Sequence, residues 1–433
     1  MRRPVWVWLA LSSLSIALVH AATRPHYGGA LTIELYSAWI PVDSAASALS
    51  IPITETLVRI NARGVVEPAL CVAWQHDADF KRWRFSLRPK VTFHDGEPLT
   101  GATAAPSLLV ALKKKYSDVS IQAGGQAIVI QSGAAMPDLL NDLAAPSAAV
   151  FRSSAANPAI PLIGTGPFRI SSWEPGRRLS VVAFDDYWNG RPYLDSVTVG
   201  LVADAAHADI FDIPYGLTRR VLPQGTAIWS SAPRNLVAIT GPNAPPALLQ
   251  ALALAIDRAS IANVLAQQRG DVAFSLLPQW LTGYAFLFQS APDIARARQI
   301  FSQLRVGPIS LSYPANDAFL RTVAERVALN ARDAGIMIQP TPNAGGNLRL
   351  IELPMQSTDP AAELASIAAT LGVSVHIDSS KPETLYETER SLLDRLIPLV
   401  DLREIYGMAP RVHMESSKSG SFALHLEDAW VQP

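Results

Sequence analysis

The side chains able to do chemistry in this chain are scattered rather than gathered. Eight histidines occur, His20, His26, His76, His94, His207, His376, His413 and His425, and no two stand at the short spacing that offers paired imidazoles to a zinc ion. There is no HExxH pair, no GxSxG turn to lift a serine, and no glycine-rich loop closing on Lys and Ser or Thr. Gly164-Thr165-Gly166 is too short to cradle phosphate, and Pro167 stands where a helix N-terminus would offer amides. Charged residues that are near in sequence have plainer roles. His94 and Asp95 belong to the turn Phe93-His94-Asp95-Gly96. Asp257 reads as a helix N-cap with Arg258 as its neighbour. Glu387, Glu389, Arg390, Asp394 and Arg395 fall at helical spacing, the pattern of surface ion pairs. The expectation from these residues is no enzyme, no metal site and no cofactor.

The elements that would position these groups change character along the chain. A strand is expected over 29–35. Trp83, Phe85 and Leu87 alternate with Arg82, Arg84, Ser86 and Arg88, a half-buried strand. A helix over 106–115 would close on three lysines, which suit its negative C-terminal end. Residues 164–195 read as two short strands around a tight turn, followed by an aromatic-rich loop. Short buried strands are expected over 179–183, 196–201 and 236–240. Beyond Thr240 helices dominate, over 247–256, 260–268 and 294–304. A β-α-β unit follows, with strand 309–313, helix 316–334 closed by Gly335, and strand 336–339. Strand 348–353 and a late helix over 389–402 complete the reading. Tyr36 and Trp39 follow the first strand, and Trp280 and Tyr284 lie between helices. These aromatic side chains are equally suited to stacking on a ligand and to ordinary packing.

The bulk properties limit the function classes. A chain of 433 residues suits two or three domains. Only 17% of residues are charged and 49% are hydrophobic, enough to build a large core. A net charge of −1 gives no reason to expect nucleic acid or an acidic membrane surface as partner. Arg2 and Arg3, the apolar run 5–19 and Val19-His20-Ala21 have the form of a signal peptide over 1–22, so the mature chain is expected to start near Ala22 or Thr23. No later stretch is apolar for long enough to span a bilayer. Cys71 is the single cysteine. It excludes an internal disulfide, lies far from the cleavage site where a lipid would attach, and sits in the apolar run 68–74 as an inert thiol. The expected compartment is the periplasm.

Four segments then carry a resemblance. Trp83-Arg84-Phe85-Ser86-Leu87-Arg88 runs through Val91-Thr92-Phe93-His94-Asp95-Gly96 to Pro98-Leu99-Thr100. The second comprises Gly164-Thr165-Gly166-Pro167-Phe168, Trp173-Glu174-Pro175-Gly176, Tyr187-Trp188-Asn189-Gly190 and Pro192-Tyr193-Leu194-Asp195. The third is Ala251-Leu252-Ala253-Leu254-Ala255-Ile256-Asp257-Arg258, and the fourth Arg411-Val412-His413 with Leu426-Glu427-Asp428-Ala429-Trp430. In this order they resemble the family-5 extracellular solute-binding proteins, the peptide, nickel and oligosaccharide receptors of ABC importers. The resemblance implies an α/β fold of the two-lobed periplasmic binding protein kind, type II and cluster C-like, with a ligand cleft between lobes. It implies lobe 1 over 23–239, with an inserted subdomain over about 46–162, completed by 404–433, and lobe 2 over 240–403.

The function so implied is capture of a peptide or peptide-like solute, as a monomer, for an ABC permease in the inner membrane. A non-transport ligand sensor of the envelope is the alternative, and an envelope enzyme ranks last. Peptide-binding members carry an acidic residue, which can meet a ligand ammonium group, shortly before an Asp-Pro pair. Here Asp359-Pro360 stays, but Gln356 stands at the acidic position and Leu353 at the aromatic one. A neutral amide does not pair an ammonium as a carboxylate does. The expected ligand contacts are Tyr36, Trp39, Trp280, Tyr284, Gln356 and Asp359.

Overall fold

The computed structural model describes residues 25–35, 49–61, 65–153, 162–201, 208–213, 215, 222–343, 345–355, 357–375, 377, 381–414 and 424–432. The expected leader 1–22 lies outside them.

Strand Ala30–Leu35 anchors the first sheet. Leu31, Ile33 and Leu35 are buried and their neighbours less so, the period of two of a pleated strand. It runs parallel to Ser196–Leu201 on one side and to Ile210–Asp212 on the other. The seven strands lie in the order Phe168–Glu174, Arg178–Ala183, Ser196–Leu201, Ala30–Leu35, Ile210–Asp212, Ile405–Met408 and Ala227–Ser230. Ile405–Met408 arrives from far along the chain. Leu424, Leu426, Ala429 and Val431 pack into the same core as Leu31 and Ile33. Arg411 fastens this return: Nε and Nη2 donate to the two Asp209 oxygens at 2.6 and 2.7 Å, and Thr32 N donates to the same carboxylate at 2.9 Å.

A four-stranded antiparallel sheet, Cys71–His76, Arg82–Leu87, Ala127–Gln131 and Ser120–Gly124, makes a separate core with helix Gly101–Leu112. The helix starts earlier than the sequence suggests. Thr100 and Thr103 form a reciprocal N-terminal cap, Pro106 falls inside, and the three lysines lie beyond the last turn. Cys71 is fully buried, and burial pushes its thiol up to about 11.

The joint between this core and the seven-stranded sheet is made by the family-like segments. A side chain at Gly164 or Gly166 would collide with the backbone of 52–53, since a Cβ there would lie 2.0 Å from Ile53 O or 2.4 Å from Pro52 O. His94 N donates to Gly164 O at 2.9 Å. Its Nδ1 accepts from Gly164 N at 3.3 Å, so Nε2 carries the proton donated to Gly166 O at 3.0 Å. Burial holds this imidazole down, to about 4, and so neutral. Glu55 gathers the other half: it accepts from Thr165 Oγ1 at 2.8 Å, Tyr187 OH at 2.9 Å and Trp188 Nε1 at 3.0 Å. Trp188 in turn lies under the Arg88 guanidinium, 4.2 Å from the ring centre.

The second large sheet has the order Gly270–Val272, Leu396–Leu402, Asn235–Thr240, Leu348–Pro354, Ile309–Tyr313 and Ile338–Pro342. Ile309–Tyr313 and Ile338–Pro342 are parallel and joined through helix Ala318–Asp333, as the β-α-β pattern requires. The expected late helix is corrected. The helix is Pro382–Leu393, and Leu396–Leu402 is a strand buried over its whole length. A strand covered on both faces loses the period of two, so its apolar run merges with the preceding helix when read by eye. Asn235–Thr240 pairs along its full length within this sheet. The change of sheet therefore falls between Ser230 and Asn235, ahead of the boundary expected at 239/240.

Replacing Glu55 by Leu strands three donors beside an apolar group. Urea unfolding is expected to show a loss of about 2–4 kcal/mol, while Glu55→Gln, which keeps one acceptor, loses less.

Candidate ligand cleft

The chain passes from the seven-stranded to the six-stranded sheet through 231–234 and returns through 403–404. The two crossings lie side by side. Ser231 N donates to Glu404 O at 2.9 Å, Glu404 N to Ser231 Oγ at 2.9 Å, and Arg234 N to Leu402 O at 2.9 Å. The Arg234 side chain is wholly buried, with Nε 3.3 Å from Glu404 Oε1. Glu404 Oε2 accepts from Tyr406 OH at 2.6 Å. Burial lowers the Arg234 pKa and the Glu404 carboxylate opposes that shift, so the guanidinium keeps its charge because its counter-ion crosses beside it.

Further contacts brace the crossing. Arg403 N donates to Arg269 O at 2.9 Å, and its guanidinium reaches Asp271 at 2.8 Å and Ser231 O at 3.4 Å. Tyr215, from the seven-stranded side, donates its OH to Arg403 O and sets its ring 5.4 Å from Phe319, on the first turn of helix Ala318–Asp333. Asp317 caps that helix, accepting from Leu320 N at 2.8 Å. Near it Glu352 is open to solvent yet walled by protein, which together with the Asp317 charge pushes its carboxyl up to about 7. Asp401 lies one residue before Leu402, at the buried end of its strand. Burial first, then the Asp271 and Glu389 charges, push it up to about 8.

The expected ligand residues occupy three kinds of position. Trp280, in the short helix Gln279–Thr282, is 42% exposed and donates Nε1 to Pro233 O at 2.9 Å. Its indole is thereby fixed against the crossing with much of its surface open. Tyr284 is half-buried, its ring 6.0 Å from Tyr386 and 6.2 Å from Phe288. Burial and the neighbouring Glu389 carboxylate raise its pKa. Asp359 caps helix Pro360–Thr370, accepting from Ala362 N at 2.7 Å, and so fixes the loop before it. Tyr36, Trp39 and Gln356 lie outside the described residues.

One sequence reading needs correction. Glu389 is not a surface ion-pair residue: it is fully buried and its Oε1 accepts from Leu276 N at 2.6 Å and Leu277 N at 3.0 Å. Arg258 is also buried, while Asp257 caps as expected, accepting from Ser260 N at 3.2 Å. Arg234 and Glu404 were not singled out by the sequence. The available signal was an arginine directly before one apolar strand and Arg403-Glu404 directly after another.

Among the described residues no group of three or more histidine, cysteine, aspartate or glutamate side chains is placed to hold a metal ion. No helix among them is long and apolar enough to cross a membrane alone, though one bent pair passes by length and composition. The crossing brings the half-open Trp280 indole and nearby carboxylates together where two short links join the two sheets, an arrangement suited to clasping a solute.

Two α/β sheets joined by paired crossings define the class of two-lobed binding proteins. The model of bacterial extracellular solute-binding proteins, family 5 (middle region), matches residues 65–210. The nickel-binding protein NikA of Staphylococcus aureus is 32% identical over 175 residues, a stretch covering 39% of this chain and 34% of that protein. The sequence match thus spans about a third of that relative's length. The solved structure of S. aureus NikA in complex with Ni(L-His)2 is 19% identical, covers 93% of this chain and 100% of that one, and has a TM-score of 0.76. The structure of the oligopeptide-binding protein AppA from Bacillus subtilis with a nonapeptide is 16% identical, with a TM-score of 0.71 over 95% of this chain and 100% of that one. Residues 65–210 thus match the family-5 solute-binding model, and the chain shares its fold with these two solved binding proteins over 93% and 95% of its length.

Removal of one partner from the crossing leaves the other charge buried. Glu404→Ala is expected to cost about 3 kcal/mol in urea unfolding, and Arg234→Met with Glu404→Leu to recover most of it. Asp401 sets a pH dependence. Its folded pKa lies above the usual carboxylate value of 3.8, so the folded chain holds a proton that the unfolded chain has released. Stability from this group is present below pH 4 and is lost as pH rises through about 8. Urea midpoints measured from pH 4 to 9 should fall less steeply in Asp401→Asn than in the parent protein.

Proposed function

We propose that this chain captures a small solute between its two lobes and delivers it to an ABC permease of the inner membrane. The observation that carries the reading is the double crossing at 231–234 and 403–404. Two short links let rigid lobes open and close, and a ligand that touches both favours the closed state. In this reading the protein is exported by its 1–22 leader, works in the periplasm and acts as a monomer. Trp280 and Tyr284 supply stacking surface, Tyr36, Trp39 and Gln356 are further ligand contacts, and Asp359 contributes from the cap of helix Pro360–Thr370.

The ligand is a peptide or a peptide-like molecule, bound through backbone groups and water rather than through an acidic anchor for its ammonium end, since Gln356 is neutral. A nickel chelate is the second reading, favoured by the likeness to nickel-binding NikA. A metal that arrives wrapped in amino-acid ligands asks the protein mainly to recognise those ligands.

Native mass spectrometry of protein purified from its own host is expected to show a co-purified small molecule. Thermal-shift screens with a peptide library and with Ni(L-His)2 then separate the two readings. An empty cleft, with no shift from peptides, sugars or the nickel chelate, would sink the capture role. Once a ligand is in hand, Trp280→Ala should weaken its binding roughly fivefold to tenfold by titration calorimetry.

A further inference from the structure

The six-stranded lobe holds a cavity of about 360 Å³, at the small end of the range for ligand pockets. It lies away from the crossing. Its wall includes Leu396, Ile397 and Pro398, and Leu396 pairs with Thr240 at the far end of the strands whose other ends, Leu402 and Asn235, meet the crossing. Leu249 and Ala253 of helix Pro246–Ala255, with Phe274 and Phe288, make the rest of the apolar lining.

The polar groups of this cavity are unequally placed. Gln250, Ser290 and Asp394 are exposed at its rim, whereas Arg258 is only 6% exposed and belongs to its floor. The guanidinium is held rigidly. Nε donates to Pro398 O at 2.7 Å, Nη1 donates to Ala253 O at 2.9 Å, and the group lies 5.0 Å from the centre of the Phe274 ring. Both acceptors are neutral carbonyls, and among the described residues no carboxylate forms an ion pair with Arg258. Burial alone draws its pKa down, to about 10, so it remains a cation. The contrast with Arg234, whose charge is met by Glu404, is direct. Two of five N–H donors are used, and the remainder sit on Nη1 and Nη2 of a residue that lines the half-open cavity.

We propose that this lobe carries a second small-molecule site, apart from the cleft, in which Arg258 binds the carboxylate of a small apolar acid. A buried cation without a counter-ion is costly, and an arriving carboxylate supplies the missing charge through two parallel N–H···O bonds. The tail of the acid would lie between Phe274, Phe288 and Leu249. Asp394 at the exposed rim disfavours anions with a second charge at the mouth, which selects for a monoacid.

Benzoate is the probe, with benzamide as its neutral isostere, and the readout is thermal unfolding and calorimetry of the full chain. Benzoate at tenfold above its Kd is expected to raise Tm by about 2 °C, with benzamide binding at least tenfold more weakly. Arg258→Met should abolish the shift. That variant also removes two structural hydrogen bonds, so Ala253→Phe is the second arm: it fills the chamber and leaves the guanidinium and its carbonyl partners in place. No benzoate shift in the parent protein, an equal response to benzamide, or a shift that persists in Ala253→Phe overturns the proposal. None of these measurements needs a cleft ligand, so they stand or fall apart from the capture role.

Discussion

One ion pair sits at the waist where the two sheets of this protein join. Any chain that leaves one sheet, builds another and returns must thread two segments through the narrow waist between them, and their backbone polar groups must be satisfied there. In this protein 231–234 and 403–404 satisfy one another. Ser231, Arg234, Leu402 and Glu404 exchange main-chain and hydroxyl hydrogen bonds, and the buried Arg234 and half-buried Glu404 side chains add a charge pair. Such a pair contributes little net stability compared with an apolar replacement, but loss of one partner strands the other charge. It lies where the two segments run side by side between the ends of the sheets.

The same logic governs the joint within the first lobe. Gly164, Gly166, His94 and Glu55 lie in segments that are remote in sequence and meet at one place. The glycines allow the backbones to touch, the neutral imidazole answers one amide and one carbonyl, and the carboxylate collects three side-chain donors. The residues that carry the family likeness are thus fasteners of the scaffold. A scaffold of this kind can hold many ligands.

The sequence made much of this fold legible. Strands half-covered by protein show a period of two, as in Ala30–Leu35 and Arg82–Leu87. The β-α-β unit ending at Ile338–Pro342 is marked by its helix and by Gly335, which takes a φ of 80°. Leu396–Leu402 was misread because both faces are covered and periodicity vanishes. Glu389 was misread for a related reason: its spacing with Arg390, Asp394 and Arg395 describes a helix surface, but spacing does not say which face of the helix turns inward. Of the candidate site, Trp280 and Tyr284 were visible as aromatic residues in a loop-rich stretch, while Arg234 and Glu404 were invisible as a pair.

Types, spacings and order along the chain carried the family likeness, the mixed α/β class and the turn and cap positions. These are local properties: a glycine's backbone freedom, an aspartate before a helix, an alternation of apolar residues. Only the tertiary structure decided which charges are paired. Arg234, 170 positions from Glu404 in the numbering, finds its counter-ion because two strand ends meet at the waist. Arg258, next to an aspartate in sequence, is buried facing only carbonyls. The energy of a charge depends on its burial and on what stands within a few ångströms of it, and neither quantity is written in the order of residues.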